Sequence, residues 1–311
     1  MLIAFVMDPL SQLKWATDST VAMIAAVIER GWTAYYIAPE HIVCDGRAVW
    51  ATCCTVTVQC ESAQYTVGVA ETRPLTDFDY VLIRKDPPFD VNYLYLTYVL
   101  EQAERQGVRV VNRPAALRDA NEKLYTLWFS ACMPRTRITA DIAQLRAFIE
   151  MVGEVVVKPL NAMAGRSVFY IQPGDRNINV ILETVTERGK TCVMAQQFIP
   201  EIAEGDKRIL LLQGEPVSHV LARVPAEGDF RGNLAAGARA EVRALTDQDR
   251  ELCRQVGPTL RDKGLWFVGL DVIGDYITEI NVTSPTGIRE IEQAVGESVA
   301  DQWMTCLESQ R

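Results

Sequence analysis

Gly269-Leu270-Asp271-Val272-Ile273-Gly274-Asp275-Tyr276-Ile277-Thr278-Glu279-Ile280-Asn281-Val282-Thr283-Ser284-Pro285-Thr286-Gly287 reads as two β-branched strands joined by a tight turn at Gly274-Asp275. In the second strand Glu279 and Asn281 are two apart and leave one face, while Thr278, Ile280 and Val282 leave the other. The register decides whether Asp271 joins them. A strict two-residue loop pairs Asp271 with Thr278; a three-residue loop, 274–276, sets it opposite Glu279, and this second register is the one predicted. Carboxylates facing each other across ~4–5 Å repel by roughly 4 kcal/mol at an effective dielectric near ~20, so a positive charge is required between them. A hard divalent cation, Mg²⁺ or Mn²⁺, suits the all-oxygen set Asp271, Glu279 and Asn281. On spacing alone an exposed strand with an acidic face fits as well, and the rest of the chain must decide.

Working outward, basic residues stand at unusual places. Lys158 interrupts the apolar strand Glu154 to Leu160, where a buried ammonium needs a negative partner. The small-residue turn Asn161-Ala162-Met163-Ala164-Gly165-Arg166-Ser167 comes next, before a strand Val168 to Ile171; backbone N–H groups in such a turn can close over a phosphate. Lys123 falls in the first turn of a helix capped by Asp119 or Asn121 and running through Ser130, where a cation opposes the helix dipole; an anion partner or a surface position would each account for it. Strands Arg137 to Thr139 and Cys192 to Gln197 flank helices Asp141 to Met151 and Ile181 to Glu187, and Phe198-Ile199-Pro200 reads as a hinge between lobes. Gly205-Asp206-Lys207-Arg208 leads into strand Ile209 to Leu212. Val217 to Val224 returns carrying Arg223, and the loop 230–239 carries Arg231 and Asn233 among small residues. Asp247 to Lys263 and Ile288 to Val295 complete the helices, the second opened by Ser284-Pro285-Thr286-Gly287, whose N–H groups suit a carboxylate or simply begin the helix.

The first third alternates strand and helix: Leu2 to Met7, a helix Val21 to Arg30 capped from Asp18-Ser19, Thr33 to Ile37, an antiparallel meander over 42–70, Tyr80 to Ile83, a helix Tyr93 to Gln106, and Val108 to Val111. That order predicts an open, mainly parallel sheet. Arg84 and Lys85 then lie at the carboxyl end of a strand, where such sheets bind ligands. Residues 112–121 read as a connection.

A net charge of −9 works against nucleic acid or an anionic membrane surface as partner. No apolar run reaches the ~18 residues of a membrane span, and the first strand lacks the basic lead of a signal peptide. The eight cysteines contain no C-x-x-C pair, and the expected compartment is the reducing cytoplasm. With two histidines, histidine-based mechanisms start poorly placed. Neither G-x-G-x-x-G nor a P-loop occurs. Lysines, arginines, a small-residue loop and an Asp…Glu-x-Asn set together suit a polyphosphate with its metal.

The chain resembles the bacterial glutathione synthetases of the ATP-grasp superfamily. The likeness rests on Val6-Met7-Asp8-Pro9, Arg84-Lys85-Asp86-Pro87-Pro88-Phe89-Asp90, Asn121-Glu122-Lys123-Leu124, Lys158-Pro159-Leu160, Gly205-Asp206-Lys207-Arg208, 231–237 and 279–286. The resemblance implies an α/β substrate domain, 1–120, followed by a two-lobed ATP-grasp fold with a central lid lobe, 121–197, and a catalytic lobe, 198–311. It implies a ligase that joins γ-glutamylcysteine and glycine through an acyl phosphate. Lys123 and Lys158 would hold ATP phosphates, Phe198 and Ile199 adenine, Asp206 the ribose, and Asp271, Glu279 and Asn281 two Mg²⁺. Arg208, Arg223, Arg231 and Asn233 would meet the transferred phosphoryl group or the dipeptide. Arg84, Asp18 and Ser19 would seat the γ-glutamyl end, and Ser284, Thr286 and Gly287 the glycine carboxylate. A homotetramer is implied too. The chain departs from the family at Asn161, Ala162, Ala164, Ala238 and Ala240, in loops usually richer in glycine, where a Cβ costs roughly 1–2 kcal/mol if the backbone is left-handed. Two rival readings are a related ligase with another acid or amine and a nucleotide-binding scaffold without turnover.

Overall fold

The structure, a computed structural model, describes residues 1–161, 166–229, 231–232 and 237–310. Among the described residues the strands form three sheets. The first is built from β1 (Leu2–Val6), β2 (Thr33–Ile37), β3 (Ile42–Cys44), β4 (Val49–Gln59), β5 (Gln64–Val67), β6 (Glu71–Pro74), β7 (Tyr80–Ile83) and β8 (Val110–Val111). Strands β2, β1, β7 and β8 pair in parallel, and β4 carries the antiparallel meander of β3, β5 and β6 at the β2 edge. Helix α1 (Ser19–Glu29) starts where the Asp18 carboxylate accepts the Thr20 N–H at 2.8 Å, and α2 (Val91–Arg105) where Asp90 accepts that of Tyr93. The expected connection 112–121 contains a short helix, α3 (Pro114–Asp119), opened by a proline that fits a helix's first turn.

Asn121, not Asp119, caps the next helical segment, accepting the N–H groups of Lys123 and Leu124. That segment, Leu124–Cys132, is 3-10 helix kinked at Phe129 and not the regular helix the sequence predicts. Three aromatics, Tyr125, Trp128 and Phe129, outnumber the strong helix formers Leu127 and Ala131 inside it, which leaves tertiary packing to set the shape.

A four-stranded antiparallel sheet comes next: β9 (Thr136–Thr139), β10 (Val155–Pro159), β11 (Phe169–Ile171) and β12 (Val193–Gln197) in the order β11-β10-β12-β9, covered by α4 (Ile142–Val152) and α5 (Ile178–Val185). Its apolar interior, with Leu145, Phe148, Val155, Val157 and Leu182, is separate from the others.

The third sheet comprises β13 (Asp206–Leu212), β14 (Glu215–Pro216), β15 (His219–Val224), β16 (Arg239–Ala244), β17 (Phe267–Ile273) and β18 (Tyr276–Asn281), ordered β16-β15-β13-β17-β18 with β14 beside β13. Three helices accompany it: α6 (Asp247–Asp262), α7 (Ile288–Val295) and α8 (Val299–Ser309). The third sheet and the first share one interior, in which Val6 and Ile83 cluster with Ile209 and Leu270. Helix α8 brings Trp303, Met304 and Leu307 against α1. Neither β16 nor α8 is among the elements the sequence predicts. β16 is a polar, largely exposed edge strand without an apolar alternation. α8 did carry a signal, the Ser298 cap followed by apolar residues at helical spacing.

Candidate active site

The hairpin at the end of the third sheet pairs Ile273 with Tyr276, Val272 with Ile277, and then Asp271 with Glu279. Asp271 therefore faces Glu279 as predicted, but the three-residue loop is wrong. The turn has two residues, Gly274-Asp275, with Gly274 at φ 55°, and the extra residue is a β-bulge at Thr278, whose Oγ1 donates to the Asp271 carbonyl at 3.2 Å. Lys207 fixes the turn, donating to the Gly274 carbonyl and to the Asp249 carboxylate, which also completes the capping box of α6.

The charge demanded by the facing carboxylates is supplied by the protein's own side chains. Asp271, 4% exposed, takes Arg208 Nε at 2.5 Å and Nη2 at 3.0 Å, and Arg223 Nη2 at 3.0 Å. Burial works to raise its carboxyl, but the two guanidiniums hold it well below the usual range. Glu279 stands 3.5 Å from Lys123 Nζ and 3.6 Å from Lys158 Nζ. Lys123 also bonds the Glu122 carboxylate; burial acts to lower its pKa, yet Glu279 and Glu122 outweigh it and the pKa rises. Lys158, buried and donating to the Thr278 carbonyl at 3.4 Å, is lowered, with burial dominant. Asp206 pairs with Arg223 at 2.5 Å through Oδ2, while Oδ1 is buried without a hydrogen-bond partner, and burial pushes its carboxyl up to about 7. Glu122, Asp206, Asp271 and Glu279 thus stand against Lys123, Lys158, Arg208 and Arg223, four acidic groups facing four basic ones.

Among the described residues no three His, Cys, Asp or Glu side chains are drawn together as a closed metal cage. The oxygen set nevertheless fits a divalent cation. Asp271 and Glu279 are cross-strand partners, Asn281 pairs with Gly269 and gives its Nδ2 to the Gly269 carbonyl at 3.3 Å, leaving Oδ1 to ligate, and the orphaned Asp206 Oδ1 is an atom that a cation or hydroxyl would satisfy.

Arg84 is buried behind this cluster. It donates to Thr20 Oγ1 and the Pro285 carbonyl, both at 3.1 Å, and lies over the Phe267 ring; its Nη1 is buried without a partner, and burial lowers its pKa. Ser284 Oγ donates back to the Arg84 carbonyl. Asp18 is engaged as the α1 cap, and Ser19 Oγ accepts the Ile288 N–H at 3.2 Å, so one N–H of the α7 N-terminus is already answered. The Thr286 carbonyl accepts Arg208 Nη1 at 3.3 Å, and Gly287 adopts φ 125° against the Arg208 stem. At the hinge, the Phe198 N–H is held by the Glu154 carbonyl and its ring lies 4.7 Å from that of Tyr170; Ile199 is buried.

Arg231 is bound to Asp229, while its neighbour Gly232 lies against Asp206 and the Arg223 carbonyl. Asn233, Ala162 and Ala164 lie outside the described residues. Ala240 is a β16 residue paired with Arg223, so the left-handed backbone for which glycine would be needed does not arise there. Sequence reading gave no role to Glu122, Arg289 or Glu290. Arg289 Nε and Glu290 Oε2 are both buried without hydrogen-bond partners, which only the folded chain reveals.

Solved structures sharing this architecture are ATP-grasp ligases. The chain superposes on D-cycloserine synthetase DcsG with a TM-score of 0.67 at 15% identity, covering 100% of this chain and 99% of that one. For the ATP-grasp ligase PsnB in complex with its minimal precursor the TM-score is 0.65 at 19% identity, with the same coverage. These likenesses define the class, an ATP-grasp fold. Residues 1–118 match the model of the prokaryotic glutathione synthetase N-terminal domain, and residues 122–296 that of the prokaryotic glutathione synthetase ATP-grasp domain. The chain belongs to the prokaryotic glutathione synthetase family. It is 51% identical to the glutathione synthetase of Coxiella burnetii over 99% of this chain and 96% of that protein, and 46% identical to that of Escherichia coli K12 over 99% and 98%.

Proposed function

We propose that the chain joins γ-glutamylcysteine and glycine at the expense of ATP, giving glutathione, ADP and phosphate. Family membership over nearly its whole length gives the substrates, and the observation that carries the chemistry is the Asp271–Glu279 pair, each carboxylate held by its own set of cations. With charge balanced inside the site, a triphosphate accompanied by divalent metal, itself close to neutral, exchanges partners without leaving a buried charge alone. Lys123 and Lys158 turn from Glu279 to phosphate oxygens, which frees Glu279 to ligate beside Asn281 Oδ1, and Asp271 joins them as Arg208 and Arg223 turn to the phosphoryl group. Bound Mg²⁺ supplies Lewis-acid neutralisation of the phosphates.

Arg208 and Arg223 then stabilise charge on the phosphoryl group as it passes to the cysteinyl carboxylate. The glycine amine attacks the acyl carbon of that mixed anhydride, and the resulting tetrahedral centre expels phosphate. With the Phe198 N–H committed to Glu154, the Ile199 N–H and the Phe198 carbonyl are the backbone groups left for the adenine edge. Asp206, by the family likeness, meets the ribose, Arg231 and Asn233 the phosphoryl group or dipeptide, and Arg84, Asp18 and Ser19 the γ-glutamyl end, while Ser284, Thr286 and Gly287 border the glycine site. The same reading assigns residues 1–120, 121–197 and 198–311 to the substrate domain, lid lobe and catalytic lobe, in a homotetramer working in the cytoplasm. No described helix is long and apolar enough to cross a membrane.

The test is phosphate release and product analysis with MgATP and γ-glutamylcysteine, with glycine present, omitted or replaced by other amines. Glycine-dependent release with glutathione as product is expected. No release under any condition rules out this substrate pair, and equal release with other amines rules out glycine selectivity.

A further inference from the structure

At the N-terminus of α7 two consecutive side chains of opposite charge each keep a buried polar atom without a partner, Arg289 Nε and Glu290 Oε2. Both side chains are partly exposed, but a buried atom of a charged group left without a partner is costly, and two such atoms of opposite sign side by side suit the two ends of one small zwitterion. Their place suits a substrate. Arg208 reaches from the Asp271 carboxylate at one end to the Thr286 carbonyl, two residues before α7, at the other. Glu290 lies within the electrostatic reach of that guanidinium and of Arg289. Burial nonetheless raises its carboxyl pKa, against its own backbone N–H, Arg208 and Arg289, so neither arginine fully compensates it. The Ile288 N–H is already taken by Ser19, which leaves side chains, more than the helix end, to hold a charged ligand here.

We propose that Arg289 and Glu290 form the seat of the incoming amino acid, Arg289 taking its carboxylate and Glu290 its ammonium. This rests on the ligase reading and adds the residues that select a free amino acid over other amines. Arg208 then links the seat to the metal carboxylate, so the amine is held beside the group that steadies the acyl phosphate.

Hydroxylamine is the probe that separates the two readings, because it traps an acyl phosphate as hydroxamate while carrying neither a carboxylate nor, near neutral pH, a positive charge. With full-length enzyme, MgATP and γ-glutamylcysteine, kcat/KM for glycine is divided by the hydroxamate rate for the parent, Glu290→Gln and Arg289→Gln. Because the quotient is taken on one sample, it is insensitive to the fraction folded. The seat predicts that it falls at least about tenfold in each variant, through glycine KM, the size of one lost charge-assisted hydrogen bond. A parent active with both nucleophiles whose quotient stays within about twofold on Glu290→Gln overturns the seat alone. A parent that forms neither product overturns the ligase reading and the seat with it.

Discussion

Arg208 and Asp271 are cross-strand partners on β13 and β17 and are joined twice, Nε to Oδ1 at 2.5 Å and Nη2 to Oδ2 at 3.0 Å, with Arg223 closing on the same carboxylate from β15. Both partners are less than a tenth exposed. Removing the carboxylate leaves two buried guanidiniums uncompensated. Asp271→Asn should therefore lower stability by about 3–5 kcal/mol in urea unfolding, as well as removing an oxygen of the proposed metal site. A loss below about 1 kcal/mol would show that the pair is solvated in solution.

Lys158 presents the opposite balance. Its ammonium is buried and its pKa depressed by that burial, so Lys158→Met relieves a desolvation cost while removing a proposed phosphate ligand. Stability without nucleotide should stay within about 1 kcal/mol of the parent or rise, and KM for MgATP should rise at least about tenfold. Calorimetry beside steady-state kinetics checks both halves.

Two glycines separate site from scaffold. A Cβ at Gly269 would stand 2.8 Å from Arg208 Cδ and 3.0 Å from Pro285 Cβ. Gly269→Ala should therefore swing Arg208 away and cut turnover on the order of 100-fold. At Gly257, inside α6, a Cβ would stand 2.1 Å from the Gly214 carbonyl oxygen, a backbone atom that cannot step aside. Gly257→Ala should lower the melting temperature, at a cost of about 1–3 kcal/mol, and leave KM for the substrates near the parent value.

Helices α1 and α8 are clamped by Arg30, which donates to Asp301 and Glu308. The hydrogen bond from Arg30 holds the Asp301 carboxyl below its usual pKa. A depressed folded pKa gives stability that is complete above the unfolded value, near ~4, and drains away as pH falls through the folded one. The Asp301 side chain is half exposed, so the effect is small. The melting-temperature difference between parent and Asp301→Asn should shrink as pH drops from about 7 to about 3; a constant difference would contradict the clamp.

Much of the fold was legible because caps and apolar periods are local: Asp18 before α1 and the buried β1 and β7 runs declare themselves within a few residues. The hairpin register was legible for the wrong reason. A three-residue loop and a two-residue loop with a bulge insert the same single residue, so both place Asp271 opposite Glu279, and only the backbone tells them apart. Residue types announced the site, but not who holds whom. Arg208 and Asp271 are 63 positions apart, and Lys158 and the Thr278 carbonyl 120, so the division of lysines to Glu279 and arginines to Asp271 exists only once three sheets are assembled. Arg231 shows the converse, an arginine in a matching motif that the described structure gives to Asp229.

Glu279→Gln keeps the side chain's shape and removes the charge that Lys123 and Lys158 face and that the proposed metal would meet. Glycine-dependent phosphate release should fall at least about 100-fold in a protein whose far-UV circular dichroism matches the parent. Unchanged turnover in that folded variant would contradict the assignment of the Asp271–Glu279 pair as the metal and phosphate site.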